Sequence, residues 1–314
     1  MLNSPQAYVL TGPTASGKST LAQCFAEKTG APVVSADSMN IYRGMDIGTA
    51  KPPAAERTGI SYYGIDIVSP EQNFSVGDWL NAVCPAFENA VPVVTGGTGL
   101  YVKCLLQGLD NFSGADETLR VRAEKMTCAE LQNEVRTTAP AQYEQLADKT
   151  NPRRLIRLLE QSQRRRDVPG ASTMEENAAG TPRLHALWQK NPLPKIIGLH
   201  VERAELHRRI AVRVETMYTA GLLAEAEALM KIELSSTAQH AIGYAEAFAV
   251  LRGELHVNEA KEKTIIRTRQ LAKRQMTWFR HQLNVEWIDA AAPPEKVFEL
   301  LRRNGAVECR GVRE

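Results

Sequence analysis

The chain has 314 residues, of which 43% are hydrophobic and 24% are charged, enough for one large domain or for a core with an insertion. Its 38 Lys and Arg against 36 Asp and Glu leave a formal net charge of +2, so any affinity for nucleic acid must come from local clusters. No window approaches about 18 uncharged apolar residues, and the first residues lack the basic and apolar regions of a signal peptide. We therefore expect a cytoplasmic globular protein without a membrane span.

The first recognisable feature is a phosphate-binding loop near the amino terminus. An apolar strand, Tyr8-Val9-Leu10, is followed by the pattern G-x-x-x-x-G-K-S and then by a helical pattern, Leu21–Ala26. Glycines in this motif let backbone N–H groups converge on phosphate oxygens, the lysine neutralises them, and the next hydroxyl coordinates Mg²⁺. The sequence therefore predicts a bound di- or triphosphate whose contacts come from Gly12, Pro13, Thr14, Ala15, Ser16, Gly17, Lys18 and Ser19, with Ser19 on the Mg²⁺ ion.

Two further loops are predicted at the same edge of the sheet. The buried strand Ala31–Ser35 leads into Asp37–Pro52, and the strand Val91–Thr95 leads into Gly96–Tyr101. In doubly wound sheets, ligands bind beyond the carboxyl ends of the strands, so all three loops should converge on one site. Local roles are the alternative: Asp37 as an N-cap or Asx-turn residue, and Thr98 as the cap of the next helix.

A long middle segment, from Asp116 to about Trp188, changes from apolar runs to helical spacing with many arginines, and the strand pattern returns at Lys195–His200. We expect a discontinuous α/β core, residues 1–114 and 190–314, and an all-helical insertion, residues 115–189. A run of charges is usually a solvated helix face, and nucleic-acid contact is the alternative that the insertion's arginines leave open. The remaining predicted elements are an edge strand Ser61–Ile67, helices Val76–Asn89, Glu259–His281 and Pro293–Arg303, a helix with the apolar stripe Leu206, Ile210, Val214 and Met217, one opening at Ala241–Glu246, and a strand Val285–Asp289.

Five separated segments resemble one family, the tRNA dimethylallyltransferases. They are Gly12–Thr20, Asp37–Pro52, Gly96–Tyr101, Ile242–Glu246 and Thr268–Trp278. The resemblance covers about residues 8 to 289 in order, which chance matches of short motifs do not produce. It implies a P-loop NTPase-like parallel sheet flanked by helices, with transfer of a dimethylallyl group from dimethylallyl diphosphate to the exocyclic N6 amine of the adenosine just 3′ of the anticodon. ATP hydrolysis is not implied, since the loop would hold a diphosphate that leaves.

The resemblance also assigns roles to single residues. It implies that Asp37 removes a proton from the attacking amine and that Lys18 and Thr98 complete the catalytic set, with Arg213 as a further diphosphate ligand. Contacts with tRNA are implied for Asp37, Ser38, Met39, Asn40, Thr98, Arg120, Gln161, Ser162, Gln163, Arg164 and Arg165. One departure is visible, because Thr150-Asn151-Pro152 stands where many relatives have Asn-Asp-Pro.

Three other functions share parts of this pattern. A P-loop kinase of a nucleotide or small metabolite would have the same fold and phosphate loop, and a nucleotide-gated RNA-binding protein would use the loop as a switch. An enzyme that prenylates free adenine nucleotides would need neither the helical insertion nor the basic helix Glu259–His281. The transferase interpretation implies tRNA, dimethylallyl diphosphate and Mg²⁺ as partners, no membrane, and a monomer.

Overall fold

The computed structural model describes residues 6–88, 90–108, 117–146, 148–167 and 193–305. These residues divide into two compact units, one within Met1–Gly108 and Thr181–Glu314 and the other within Leu109–Gly180. The first unit contains the sheet, and the second contains helices. The helical unit thus interrupts the sheet unit along the chain.

Within the described residues, six strands form one parallel sheet in the order β3-β2-β4-β1-β5-β6. Their bounds are β1 Tyr8–Thr11, β2 Val33–Ser35, β3 Tyr62–Tyr63, β4 Val93–Gly96, β5 Ile196–His200 and β6 Val285–Asp289. The parallel arrangement explains why β1, β2 and β4 are apolar without alternation, because both faces of such a sheet are covered by helices. This confirms the predicted α/β class.

The helices follow the sequence patterns closely. In chain order they are α1 Lys18–Thr29, α2 Val76–Val83, α3 Gly99–Gln107, α4 Glu117–Glu124, α5 Cys128–Thr138, α6 Pro140–Gln145, α7 Pro152–Asp167, α8 Arg203–Thr219, α9 Leu222–Leu229, α10 Ser236–Gln239, α11 Tyr244–Leu251, α12 Val257–Gln282 and α13 Pro294–Gly305. None of those that the structure describes is long and apolar enough to cross a membrane.

The two largest differences from the predicted bounds are in a helix and an edge strand. The helix predicted over Val76–Asn89 ends at Val83 and continues as a 3-10 turn, Cys84–Phe87, because Pro85 lacks an N–H group and cannot extend an α-helix; Asn89 lies outside the described residues. The edge strand predicted over Ser61–Ile67 keeps only Tyr62–Tyr63. The chain turns at Gly64, where φ is +77° and a Cβ would lie 2.5 Å from the Ser35 carbonyl oxygen.

One core cluster of the sheet unit joins the strands to helices α1 and α13. The cluster contains Leu10, Val93 and Ile197 from the strands, Phe25 of α1 and Phe298 of α13. The ring centroids of Phe25 and Phe298 are 5.5 Å apart. All five side chains are fully or almost fully buried. Burying side chains of this size stabilises the fold by about 1.5–3 kcal/mol each and fixes the strand ends relative to α1.

The helical unit has a core of its own. Leu131 and Val135 of α5 pack with Leu155 and Leu159 of α7. At its edge the buried Glu160 carboxylate forms ion pairs with Arg120 at 2.9 Å and with Arg157 at 2.9 Å. Arg120 and Arg157 are therefore not simply solvated charges, as each compensates a carboxylate that is removed from water.

Candidate active site

One pocket lies at the carboxyl ends of β2 and β4, beside the end of the phosphate loop. Each of the three loops that the sequence predicted at this edge contributes to the lining: Lys18 and Ser19 at the end of the phosphate loop, Asp37, Asn40 and Pro52 from Asp37–Pro52, and Gly96 from Gly96–Tyr101. Polar groups predominate in the lining, which includes Lys18, Ser19, Ser35, Asp37, Asn40 and Thr95. A polar pocket at the strand ends is the usual position of a ligand in a doubly wound sheet.

The phosphate loop has the backbone that its sequence predicts. Ala15 and Gly17 have positive φ values of 62° and 88°, and α1 begins directly after them at Lys18. The Lys18 ammonium donates to the Pro13 carbonyl oxygen at 3.2 Å, across the loop. The loop therefore presents a helix amino terminus and a buried cation to the same point, which suits a phosphate group.

Two charged groups, Lys18 and Asp37, line this pocket, and the Arg213 guanidinium lies close enough to interact electrostatically with both. Burial lowers the pKa of Lys18 to about 8; the Asp37 carboxylate opposes the shift, and the Arg213 guanidinium adds to it. Burial also lowers the pKa of Arg213, and Asp37 again acts in the opposite direction. Two cations near one carboxylate leave an excess of positive charge, which favours a polyanionic ligand.

Arg213, on α8, joins the phosphate loop to the segment after β2. Its Nη1 donates to Thr14 Oγ1 at 3.0 Å and its Nη2 to the Thr49 carbonyl oxygen at 3.1 Å. Its Nε and the Ser16 hydroxyl are buried and have no hydrogen-bond partner among the described residues. The Arg213 Nε–H and the Ser16 hydroxyl are therefore available to hydrogen-bond a ligand at the phosphate loop.

Asp37 lies at the point where the chain leaves β2. Its Oδ1 accepts the Met39 N–H at 2.9 Å, which is an Asx turn, so this local role suggested by the sequence is present. That hydrogen bond uses one lone pair of one oxygen and orients the side chain. The rest of the carboxylate faces the pocket with Lys18.

Thr98 differs from the capping role that its sequence position suggested. It occupies the N-cap position of α3, but its side chain makes no capping hydrogen bond in the described structure. Instead its Oγ1 accepts the Ser38 N–H at 3.0 Å and lies 3.3 Å from the Ser38 hydroxyl. Thr98 therefore ties the loop after β4 to the residue next to Asp37.

Asn40 and Thr95 line the inner part of the pocket. The Asn40 side-chain amide donates to Ser35 Oγ at 3.3 Å. Its Oδ1 and the Thr95 Oγ1 are buried and have no hydrogen-bond partner in the part of the chain that the structure describes. The pocket thus holds oxygen acceptors that protein donors leave unused.

Sequence reasoning missed Gln275 of α12. Its Oε1 accepts the Thr14 N–H at 2.8 Å, and its Nε2 donates to the Gly97 carbonyl oxygen at 3.1 Å. It therefore fixes two of the three loops relative to each other. The motif Thr268–Trp278 singles out this helix, but the contact joins residues 261 apart in the chain, and motif spacing does not reveal it.

Close packing of α12 also explains two glycines of the loop after β4. A Cβ on Gly97 would lie 2.3 Å from Gln275 Nε2, and one on Gly99 would lie 2.1 Å from the Trp278 ring. Any larger residue would push α12 away from the loop. Trp278 is half-buried, with its ring packed against Gly99.

The residues of the helical unit that were predicted to contact tRNA differ in burial and in their partners. Arg120 pairs with Glu160, and Ser162 is buried with its hydroxyl donating to the Leu159 carbonyl oxygen at 2.9 Å. Gln161 is half-buried. Helix α7 continues through Gln163, Arg164 and Arg165, whose side chains lie outside the described residues.

Comparisons with known proteins identify the family to which the chain belongs. The family model described as IPP transferase matches residues 40–282, and the one described as isopentenyl transferase matches residues 5–64. The tRNA dimethylallyltransferase of Anaeromyxobacter sp. strain K is 37% identical over 94% of this chain and 95% of its own; that of Pelotomaculum thermopropionicum is 38% identical, with 89% of each chain covered. The solved structure of the tRNA isopentenylpyrophosphate transferase from Bacillus halodurans aligns with a TM-score of 0.66 and 31% identity, covering 95% of both chains. The chain belongs to the tRNA dimethylallyltransferase family.

Proposed function

We propose that this protein transfers a dimethylallyl group from dimethylallyl diphosphate to the N6 amine of the adenosine 3′-adjacent to the anticodon in tRNA. One observation carries the proposal: the Lys18 ammonium and the Arg213 guanidinium lie at the phosphate loop, and both interact electrostatically with the Asp37 carboxylate, which lines a pocket together with Lys18. The cations suit a diphosphate leaving group and the carboxylate suits a proton that must be removed. The family membership supports the choice of donor and acceptor.

In this proposal the diphosphate lies in the loop Gly12–Ser19 and contacts Arg213. The bond between the dimethylallyl carbon and the diphosphate oxygen breaks, and its electron pair leaves with the diphosphate. Negative charge therefore grows on the leaving oxygen as the reaction proceeds. Lys18, Arg213 and the backbone N–H groups of the loop stabilise this charge more strongly in the transition state than in the bound donor, which lowers the barrier.

The amine needs help because its lone pair is delocalised into the adenine ring. As the new bond between N6 and the dimethylallyl carbon forms, the nitrogen becomes acidic, and Asp37 is proposed to accept its proton. A carboxylate can act in this way when geometry holds it within hydrogen-bond reach of the amine. The Asx turn to Met39 provides that orientation. Thr98 supports it through its hydrogen bond with Ser38.

Magnesium fits the residues present. Within the described ranges, no group of three or more His, Cys, Asp or Glu is placed to hold a metal. A hard cation bound mainly by phosphate oxygens and water needs only one or two protein oxygens. Ser19 is the proposed ligand, and the buried Asn40 Oδ1 and Thr95 Oγ1, without hydrogen-bond partners in the described structure, give the pocket the oxygen character that Mg²⁺ prefers. When bound, the ion would neutralise charge on the leaving diphosphate.

The RNA partner is proposed to be the anticodon stem-loop of tRNA. The target adenosine must leave its stack to reach a carbon that is bound inside the protein, and Asp37–Asn40 with Thr98 surround the point that it would reach. Arg120 and the segment Gln161–Arg165 of the helical unit, residues 115–189 in the proposed domain division, supply the remaining proposed contacts. We propose a cytoplasmic location, since the substrate and donor are soluble. We also propose that the protein is a monomer.

A direct transfer assay tests the proposal. Purified protein is incubated with Mg²⁺, unmodified tRNA and dimethylallyl diphosphate labelled in the dimethylallyl group, and the tRNA is then digested to nucleosides. We expect label in N6-isopentenyladenosine and release of diphosphate. A parallel incubation with ATP labelled at the γ-phosphate should show no transfer, whereas phosphorylated product without prenylated nucleoside would identify a kinase and overturn the proposal.

A further inference from the structure

The segment Asp46–Thr49 carries an unusual anchor that the proposed chemistry does not use. The carboxylate of Glu225, on α9, accepts three consecutive backbone N–H groups. Asp46 donates at 3.1 Å, Ile47 at 3.0 Å to each oxygen, and Gly48 at 3.3 Å. Successive N–H groups that converge in this way form an anion-binding concavity, and here the protein's own carboxylate fills it.

Tyr244, the first residue of α11, completes the anchor. Its hydroxyl donates to Glu225 Oε1 at 2.5 Å and accepts the Gly48 N–H at 3.2 Å. The side chain is fully buried, and a Cβ on Gly48 would lie 2.4 Å from its ring. Burial and the neighbouring Glu225 carboxylate raise the pKa of the Tyr244 hydroxyl, so it stays protonated and continues to donate.

A second set of contacts holds the same segment from its other end. The buried Lys51 ammonium donates to the Tyr42 carbonyl oxygen at 2.6 Å, to Asp46 Oδ1 at 2.5 Å and to Asp66 Oδ1 at 2.6 Å. The backbone between Asp46 and Lys51 is thus fixed at both ends. It is linked to the candidate active site through the Thr49 carbonyl oxygen, which accepts Arg213 Nη2 at 3.1 Å.

This link gives the anchor a consequence for the site. The Arg213 guanidinium donates two hydrogen bonds in the described structure, one to Thr49 and one to Thr14 of the phosphate loop. If the Thr49 carbonyl moves, the guanidinium loses the partner that sets its plane. A guanidinium recognises phosphate through a planar set of donors, so its orientation matters as much as its charge.

We propose that Glu225, oriented by Tyr244, is a positioning residue that holds the Thr49 carbonyl and thereby orients Arg213 toward the diphosphate. The proposal rests on the proposed function for the identity of that ligand. Glu225 itself does not contact the phosphate loop in any hydrogen bond of the described structure. Its effect should therefore disappear when Arg213 is absent, which a merely structural role would not produce.

Binding of inorganic pyrophosphate in the presence of Mg²⁺, measured by calorimetry, tests this directly. We expect Glu225→Ala to raise the dissociation constant about tenfold, and Tyr244→Phe, which keeps the ring, to raise it about threefold. Glu227→Ala is the matched control, since Glu227 lies exposed on the same helix, and it should leave the constant unchanged. In the double variant that combines Glu225→Ala and Arg213→Ala, pyrophosphate affinity should fall by the same factor as in Arg213→Ala alone.

The transfer assay adds a second readout. Glu225→Ala should raise KM for dimethylallyl diphosphate and leave KM for tRNA unchanged. Two results would overturn the proposal. One is equal pyrophosphate affinity in Glu225→Ala and Glu227→Ala, and the other is that the effects of Glu225→Ala and Arg213→Ala multiply in the double variant.

Tyr244→Phe keeps the proposal testable if Glu225→Ala does not fold. If the wild-type protein binds pyrophosphate but prenylates no tRNA, the proposed function fails, whereas the calorimetric comparison still decides the role of Glu225.

Discussion

The proposed chemistry depends on how single side chains divide their hydrogen bonds. Asp37 gives one oxygen to the Met39 N–H and keeps the rest of its carboxylate toward Lys18. The turn-forming role and the chemical role are therefore compatible, because the turn needs only one acceptor. An asparagine would keep that acceptor and lose the ability to take a proton.

Asp37→Asn should therefore separate chemistry from binding. We expect kcat for prenyl transfer to fall by about 100-fold to about 10,000-fold, the range for a lost general base. Binding of pyrophosphate with Mg²⁺ should tighten slightly, since a negative charge has left the pocket, and tRNA affinity should fall less than kcat. Single-turnover transfer and calorimetry measure these quantities. A variant with unchanged kcat would remove Asp37 from the mechanism.

The lowered pKa of Lys18 leads us to expect that kcat/KM depends on pH. Its pKa of about 8 means that the cation is present below that pH and is lost as the pH rises through it. Because kcat/KM reports groups of the free enzyme, kcat/KM for dimethylallyl diphosphate should decline above about pH 8. In Lys18→Arg this decline should vanish, since a guanidinium stays charged throughout. An identical decline in the variant would show that another group titrates.

At the scale of elements, α12 determines how the loops meet. Gln275→Ala removes the hydrogen bonds to Thr14 and Gly97 together, so we expect pyrophosphate affinity to fall about fivefold to tenfold through a looser phosphate loop. Glu262→Ala, at an exposed position of the same helix, is the control and should bind pyrophosphate normally. Equal affinities in the two variants would show that Gln275 does not hold the loop in its binding form.

The sequence predicted the elements better than their connections. Apolar runs without alternation located the strands, and glycine-rich turns placed the phosphate loop and the loop after β4, because these features depend on neighbouring residues. Gln275 and Glu225 were missed because each acts across a long chain separation, 261 residues in one case and 178 in the other. Thr98 shows the same limit: a local rule predicted a helix cap, and a hydrogen bond to Ser38, 60 residues away, took its place.

At the scale of the whole molecule, a net charge of +2 cannot attract RNA by itself. Affinity for tRNA must come from local groups, and the helical unit has arginines that its own core does not bury, among them the exposed Arg153 and Arg154. The sheet unit holds the candidate pocket for the proposed diphosphate. Substrate binding and donor binding should therefore respond to different substitutions.

Replacing Arg164 and Arg165 together by alanine tests this separation. The dependence of log K on log salt concentration for tRNA binding should become shallower by about one for each RNA phosphate that the variant no longer neutralises. Filter binding at several salt concentrations measures this slope, and pyrophosphate affinity, which depends on the sheet unit, should not change. An unaltered salt slope would place the RNA elsewhere on the protein.

The most direct measurement of the central claim is a crystal structure with an unreactive thio-bridged analogue of dimethylallyl diphosphate and Mg²⁺. We expect the phosphate oxygens to lie within hydrogen-bond distance of the Lys18 ammonium and the Arg213 guanidinium, with the transferable carbon facing Asp37. An analogue bound away from Lys18, or with its carbon turned away from Asp37, would contradict the proposed mechanism.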